Sequence, residues 1–94
     1  MSRGLRNATI TSKSQSGSSA EFLASGERAG FTLYNDTETD LYLAFGTDDA
    51  SETNFTIKMA AGSYYECPWA YDGAVQGVFA VAGNGYARIT EVHD

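Results

Sequence analysis

The stretch AVQGVFAVAGNGYARITEV, residues 74–92, decides the fold class of this chain. Its first half is apolar on both faces, which is typical of a strand covered by neighbouring structure. The dipeptide Asn84-Gly85 is preferred in two-residue type I′ hairpins, so residues 86–92 are predicted to pair antiparallel with residues 74–83. The segment therefore indicates antiparallel β-structure.

The remainder of the chain repeats the same period of two. No segment places apolar residues at the spacing of an amphipathic helix, and turn residues recur roughly every eight to twelve positions. Further strands are predicted at 7–13, 20–25, 28–35, 41–46 and 54–60, with a short one stopped by Pro68, which has no N–H for a ladder. We predict an all-β fold: a single antiparallel β-sandwich or a jelly-roll-like small barrel of seven or eight short strands.

The charge of the chain is unevenly distributed over its 94 residues, which fit one domain. This domain is expected to span residues 1–94, with residues 1–6 as an extended N-terminal arm. Arg3, Arg6 and Lys13 are the only charges in the first 13 residues, whereas the whole chain carries −6. The acidic body disfavours nucleic acid as a ligand, because a phosphate chain needs a basic face. The basic arm suggests contact with an acidic surface of another copy, and a frayed, solvated terminus is the alternative.

Cysteine usage and the first residues predict a cytoplasmic setting. Cys67 is the only cysteine, so no intrachain disulfide can form. The start MSRGLRNATI lacks the apolar core of a signal peptide, and no stretch is apolar for the roughly 18 residues of a membrane helix. The Asn-x-Thr triplets at 7–9, 35–37 and 54–56 are therefore interpreted as turn and strand composition, not as glycosylation sites.

The acidic stretch that follows residues 41–46 is a weak candidate for a metal site. Asp48, Asp49 and Glu52 lack the spacing and the turn glycine of a calcium loop, so a solvated loop is predicted. The alternating carboxylates of DTETD, residues 36–40, could chelate a hard cation if that stretch is extended. We predict no specific metal site and no cofactor.

The residue types of nucleophilic catalysis are scarce. The only histidine, His93, is next to the C-terminal Asp94, and a chain end is not expected to hold a side chain firmly enough for a catalytic triad. The acidic neighbour Glu66 does not activate the thiol of Cys67, so a structural cysteine is predicted. The chain is not predicted to be an enzyme.

The segment SYYECPWAYDG, residues 63–73, is the most distinctive in composition. Tyr64, Tyr65, Trp69 and Tyr71 gather around a proline that breaks the strand. Such clusters anchor protein partners or stack on sugar rings. Capping of one end of the core is the third interpretation.

The order of features between residues 28 and 92 resembles a group of small virion proteins of tailed bacteriophages and prophages. The matching features are Arg28 before GFTLYN, then LYLAFG, a Ser/Thr/Asn-rich loop, FTIKMAAGSYYE, and YDGAVQGVFAVAGNGYARITE. The resemblance implies a compact β-fold and a structural role as a capsid decoration (cement) protein, a head fibre, or a tail or baseplate adaptor.

Together these features predict a capsid decoration protein on the virion surface, present in the host cytoplasm during assembly. Its expected partners are the major capsid protein and itself, as a homo-oligomer and by preference a trimer, with no nucleic acid, membrane or small-molecule ligand. The predicted capsid contact is Arg3, Leu5, Arg6 and Ile10, and the predicted oligomer face is Gln76, Val78 and Ala80. The alternative is a tail, head-fibre or baseplate module that binds a host glycan or another tail protein through Tyr64, Tyr65, Trp69 and Tyr71.

Overall fold

The computed structural model describes residues 7–93, and within them the chain forms eight strands and no helix. The strands are β1 Asn7–Ser14, β2 Ala20–Leu23, β3 Gly30–Asp36, β4 Leu41–Phe45, β5 Ile57–Met59, β6 Tyr64–Glu66, β7 Val75–Phe79 and β8 Tyr86–His93. Each lies within one residue of a stretch predicted as a strand, although several are shorter than predicted. The turn predicted at Gly62 is present, and its φ of 75° is one that glycine adopts at little cost.

The strands form two antiparallel four-stranded sheets. Sheet A has the order β1-β8-β3-β6, and sheet B has the order β2-β7-β4-β5. The first strand pairs with the last, the second with the seventh, the third with the sixth and the fourth with the fifth. This nesting is that of one long hairpin rolled into two sheets, which is the jelly-roll arrangement. The prediction of an all-β fold of seven or eight short strands is confirmed, and of its two forms, the antiparallel β-sandwich and the jelly-roll-like small barrel, the structure is a sandwich.

The hairpin predicted at Asn84-Gly85 is wrong. Strand β7 lies in sheet B and β8 in sheet A, so the connection crosses from one sheet to the other. Its geometry is fixed by Gln15, whose Nε2 donates to Val81 O at 2.8 Å and whose Oε1 accepts from Gly85 N at 3.1 Å. These contacts across 66 and 70 residues of sequence override the local turn preference.

The main core lies between the two sheets. Its buried side chains come from both sheets and from the ends of the connecting loops: Phe22, Leu23, Phe31, Leu33, Leu41, Leu43, Met59, Cys67, Val75, Phe79, Ala87 and Ile89. Gly77 is required here, because a Cβ at this position would lie 2.5 Å from the ring of Phe22. The glycine of β7 therefore makes room for a core aromatic side chain of β2.

A second apolar cluster lies on the opposite, outer face of sheet B. Loop 46–56 folds across this face and buries Ala50 against Tyr42, Ala44 and Val78. Phe55 contributes from the same loop, with its ring centroid 5.2 Å from that of Tyr42. The acidic stretch therefore belongs to a loop that buries apolar side chains on the outer face of sheet B.

Two buried polar side chains hold the connections together. Asn35 is fully buried, and its Nδ2 donates to Thr39 O, Met59 O and Ala60 O at 2.9–3.2 Å. Arg28 donates to Ala24 O, and to Tyr71 O and Gly73 O at 2.9 and 3.1 Å. The first ties the β3–β4 turn to the end of β5, and the second ties the β2–β3 connection to the loop before β7.

Candidate interaction surface

The outer face of sheet A carries most of the exposed large apolar side chains of the described residues. Four of those seven lie on this face: Ile10, Tyr34, Tyr64 and Tyr86. They alternate along their strands with inward-facing residues such as Leu33 and Ala87. In contrast to sheet B, no described loop forms an apolar cluster over this face.

The strand register brings these side chains into neighbouring rows. Tyr34 lies opposite Tyr64 on one side and Arg88 on the other, and Arg88 in turn lies opposite Ser12. Ile10 lies in the next row, opposite Thr90. The face is therefore a continuous strip of aromatic, aliphatic and hydroxyl side chains across four strands, which is suited to protein contact.

The positive charge in the middle of this strip is locally compensated. Arg88 donates from Nε and Nη2 to Asp36 Oδ2 at 3.2 Å each, and from Nη1 to Ser12 Oγ at 3.0 Å. Its guanidinium also lies over the ring of Tyr86, 4.8 Å from the centroid. The strip can thus be covered by a partner without leaving an unpaired charge at its centre.

The predicted capsid contact lies only partly within the described residues. Arg3, Leu5 and Arg6 are outside them. Ile10 lies in β1 and is 74% exposed, with Ala8 on the same face, as period two predicts. The described part of the predicted contact is therefore an edge strand of sheet A.

The four aromatic residues of segment 63–73 do not form one surface. Tyr64 lies on the outer face of sheet A, and Trp69 is 54% exposed with its ring edge against Phe45, 6.3 Å between centroids. Tyr71 stacks on Phe45 at 4.7 Å and donates from its hydroxyl to Ala74 O at 2.9 Å. Tyr65 packs on Phe31. Two of the four thus cap the core, and two are available to a partner.

The Tyr65 hydroxyl lies beside the thiol of Cys67. Burial disfavours its charged form and, together with the neighbouring thiol of Cys67, raises the pKa of the Tyr65 hydroxyl to about 12. Cys67 is buried, and its Sγ donates to Trp69 O at 3.1 Å. The raised pKa keeps the Tyr65 hydroxyl neutral at this end of the sandwich.

The predicted oligomer face is covered by the chain itself, and this corrects the prediction. Gln76 and Val78 are 7% and 8% exposed, and Ala80 is partly buried against the same cluster. Gln76 also donates from Nε2 to Gly46 O at 3.2 Å. Strand β7 is apolar on both faces because loop 46–56 covers one face and the main core lies against the other. A sister copy therefore has little of this surface to contact.

Most acidic side chains of the loops lie apart from the strip or are paired with cations, whereas Glu66 lies exposed on the same face as Tyr64. Asp48, Asp49 and Glu52 are exposed on loop 46–56, on the side of sheet B. Asp36 pairs with Arg88, and Asp40 lies 3.8 Å from the Nζ of Lys58. Within residues 7–93, no three His, Cys, Asp or Glu side chains are grouped so that they could hold a metal ion.

His93 is held at the end of sheet A. Its Nδ1 lies 3.2 Å from Glu27 O, and its Nε2 lies 3.8 Å from a carboxylate oxygen of Glu91. Glu91 also accepts from Arg28 Nε at 3.4 Å. The histidine thus belongs to the network that fixes the Arg28 connection.

Sequence reasoning did not single out Tyr34 and Tyr86 as surface residues. The signal was available, because both alternate with apolar residues in strands whose inner faces are fixed by Leu33 and Ala87. What was missing was the pairing of β3 with β8 and β6, which brings the side chains of distant segments together.

Comparisons with protein-family models, with curated proteins and with solved structures found no match to this chain. Among the described residues, no helix is long and apolar enough to cross a membrane.

Proposed function

We propose that this protein is a non-enzymatic structural protein of a tailed-phage virion, most specifically a capsid decoration protein. The observation that carries the proposal is the contrast between its two outer faces. Sheet B is covered by an acidic loop, whereas sheet A presents an uncovered strip with Ile10 on an edge strand. The resemblance of residues 28–92 to small virion proteins supplies the biological context.

The contrast suggests an orientation on the capsid. The outer face of sheet A is directed at capsid subunits, where Ile10, Tyr34 and Tyr64 supply apolar area and tyrosine contacts of the kind that dominate interfaces. The basic residues Arg3 and Arg6 precede β1 and add attraction to an acidic capsid surface. Loop 46–56 is directed outward, where its exposed carboxylates keep the particle soluble.

The test is occupancy of capsids that lack the protein, with purified variants added back. Ile10→Asp places a charge in the strip and is expected to weaken binding by about tenfold or more, because an unpaired charge is desolvated in the interface. Val81→Asp is the matched control, since Val81 is also apolar and 61% exposed but lies in the β7–β8 connection. Equal binding of the two variants contradicts the proposal.

A second candidate is a tail or head-fibre module that binds a host glycan. The observation that favours it is Trp69, whose ring is 54% exposed beside the stacked pair Phe45 and Tyr71. For this function, Trp69→Ala abolishes adsorption of the phage to its host and leaves the amount of protein in the particle unchanged. For a decoration protein, adsorption is unaffected by the same substitution.

A further inference from the structure

We propose that β1 pairs antiparallel with β1 of a second copy, so that the two copies join their sheets A into one continuous sheet. This inference concerns self-association through the backbone and does not depend on the capsid proposal. It assigns an interface to a strand edge, where the sequence had predicted an oligomer face on β7.

The sandwich has four edge strands, β1 and β6 in sheet A and β2 and β5 in sheet B. β2, β5 and β6 have four, three and three residues, whereas β1 has eight. Edge strands are normally protected by shortness, by proline, by a bulge or by several charges. β1 pairs with β8 without a register shift and contains one charge, Lys13, and no proline. Among the described residues, β1 therefore offers the longest and most regular edge, without these protections.

The backbone groups that face this open edge can be identified. Gln15, the residue after β1, donates its N–H to Gly85 O at 3.0 Å, and its carbonyl accepts from Gly83 N at 3.2 Å. Backbone groups of successive residues alternate between the two edges of a strand. Odd-numbered residues of β1 therefore bond to β8, and Ala8, Ile10, Ser12 and Ser14 direct their N–H and C=O groups outward.

The alternation of backbone groups restricts which residues of the two β1 strands can lie opposite each other. Only residues of the same parity can lie opposite each other in an antiparallel pair. A twofold axis at Thr11 places Ala8 opposite Ser14 and Ile10 opposite Ser12, so that all four outward residues find partners within β1. An axis at Ile10 or Ser12 leaves one of the four opposite a residue outside β1. Thr11 is therefore assigned to the axis.

Charge favours a second copy as the occupant of this edge. The chain carries −6 overall, but β1 contains no acidic residue, so two copies meet where their repulsion is least.

The first test measures the mass of the full-length protein by sedimentation equilibrium. The expected result is a reversible dimer, twice the 10.1 kDa of one chain. Ile10→Pro removes an outward N–H that β8 does not use, so it is expected to raise the dimer Kd by about tenfold or more while the melting temperature of the monomer is kept. Ile10→Thr retains the N–H and the exposed position, and is expected to dimerise like the wild type. A monomer or a trimer for the wild type, or equal Kd values for the two variants, overturns the proposal.

The second test reads the register directly. In Thr11→Cys the two new thiols face each other across the axis at a non-hydrogen-bonded pair, with Cα atoms about 4.5 Å apart, within reach of a disulfide. Mild oxidation is expected to give a covalent dimer whose linked peptide contains residue 11 of both copies. Thr9→Cys is the matched control, since its two thiols would be about 13 Å apart along the strands. Failure of Thr11→Cys to cross-link, or equal cross-linking of Thr9→Cys, contradicts the assigned register.

These tests use the isolated protein, so their result is separate from capsid binding. A dimer that fails to bind capsids overturns the proposed function and leaves the strand pairing standing. A monomer that decorates capsids does the reverse. If both hold, the pairing doubles the strip that one assembled unit presents to the capsid.

Discussion

The outer faces of the two sheets differ in what covers them. On sheet B, loop 46–56 brings Ala50 and Phe55 onto the strands, and a second apolar cluster forms within the chain. On sheet A the corresponding face keeps Ile10, Tyr34 and Tyr64 exposed. An apolar residue on the outer face of a strand is therefore available to a partner only when the chain's own loops leave it uncovered.

The largest expected effect comes from a matched pair of charges placed on the two faces. Val78→Asp buries a carboxylate beneath loop 46–56 and is expected to lower the free energy of unfolding by about 3 kcal/mol or more. Ile10→Asp leaves its carboxylate in water and is expected to change it by less than about 0.5 kcal/mol. Urea denaturation measures both. Similar losses for the two variants would show that the two faces are equally covered.

The next largest difference in stability is expected between substitutions of two arginines, Arg28 in the β2–β3 connection and Arg88 in β8. The Arg28 side chain is 1% exposed, so Arg28→Met leaves three carbonyl groups and Glu91 without their donor and is expected to cost about 3 kcal/mol. Arg88→Met removes an exposed pair with Asp36 and is expected to cost at most about 1 kcal/mol. Thermal unfolding of the two variants under the same conditions checks the difference. An equal cost would contradict the assignment of Arg28 as an internal brace.

A smaller effect is expected inside the main core at Gly77. The methyl group of Gly77→Ala would lie against the ring of Phe22, so the ring or the strand must shift, at about 1–3 kcal/mol. Phe22→Leu in the same chain removes the obstructing ring edge and is expected to recover part of the loss. A double-mutant cycle measures the coupling free energy between the two substitutions, which reports the contact between residues 77 and 22. Strict additivity would place the cause elsewhere.

The smallest effect is confined to alkaline pH. The folded-state pKa of Tyr65 is about 12, above the ordinary value of 10.0, so between these values the unfolded chain has lost a proton that the folded chain keeps. Stability is therefore unaffected below about pH 10 and falls as pH rises from about 10 to about 12. Tyr65→Phe is expected to make this fall shallower. Denaturant titrations of the wild type and the variant at pH 9 to 12 provide the measurement, and equal slopes in the two would contradict the shift.

Local sequence patterns were enough to locate each strand and to predict the all-β fold class. Period two along strands such as LYLAF and YARIT needs only neighbouring residues, because alternate side chains of a strand face opposite sides. Period two also placed Ala8 and Ile10 on one face, and the glycine at position 62 predicted a turn there. These properties depend on contacts within a few residues, and they survived intact in the structure.

The pairing of the strands and the exposure of their faces depend instead on contacts between distant parts of the chain. Asn84-Gly85 favours a hairpin locally, but Gln15 binds both ends of the connection and β8 pairs with β1 and β3 instead. Val78 was predicted to contact another copy, but loop 46–56 of the same chain covers it. Tyr34 and Tyr64 lie side by side only because of the register between β3 and β6. Such contacts join residues far apart in the chain, and their energies depend on the whole packed sandwich, so no local pattern encodes them.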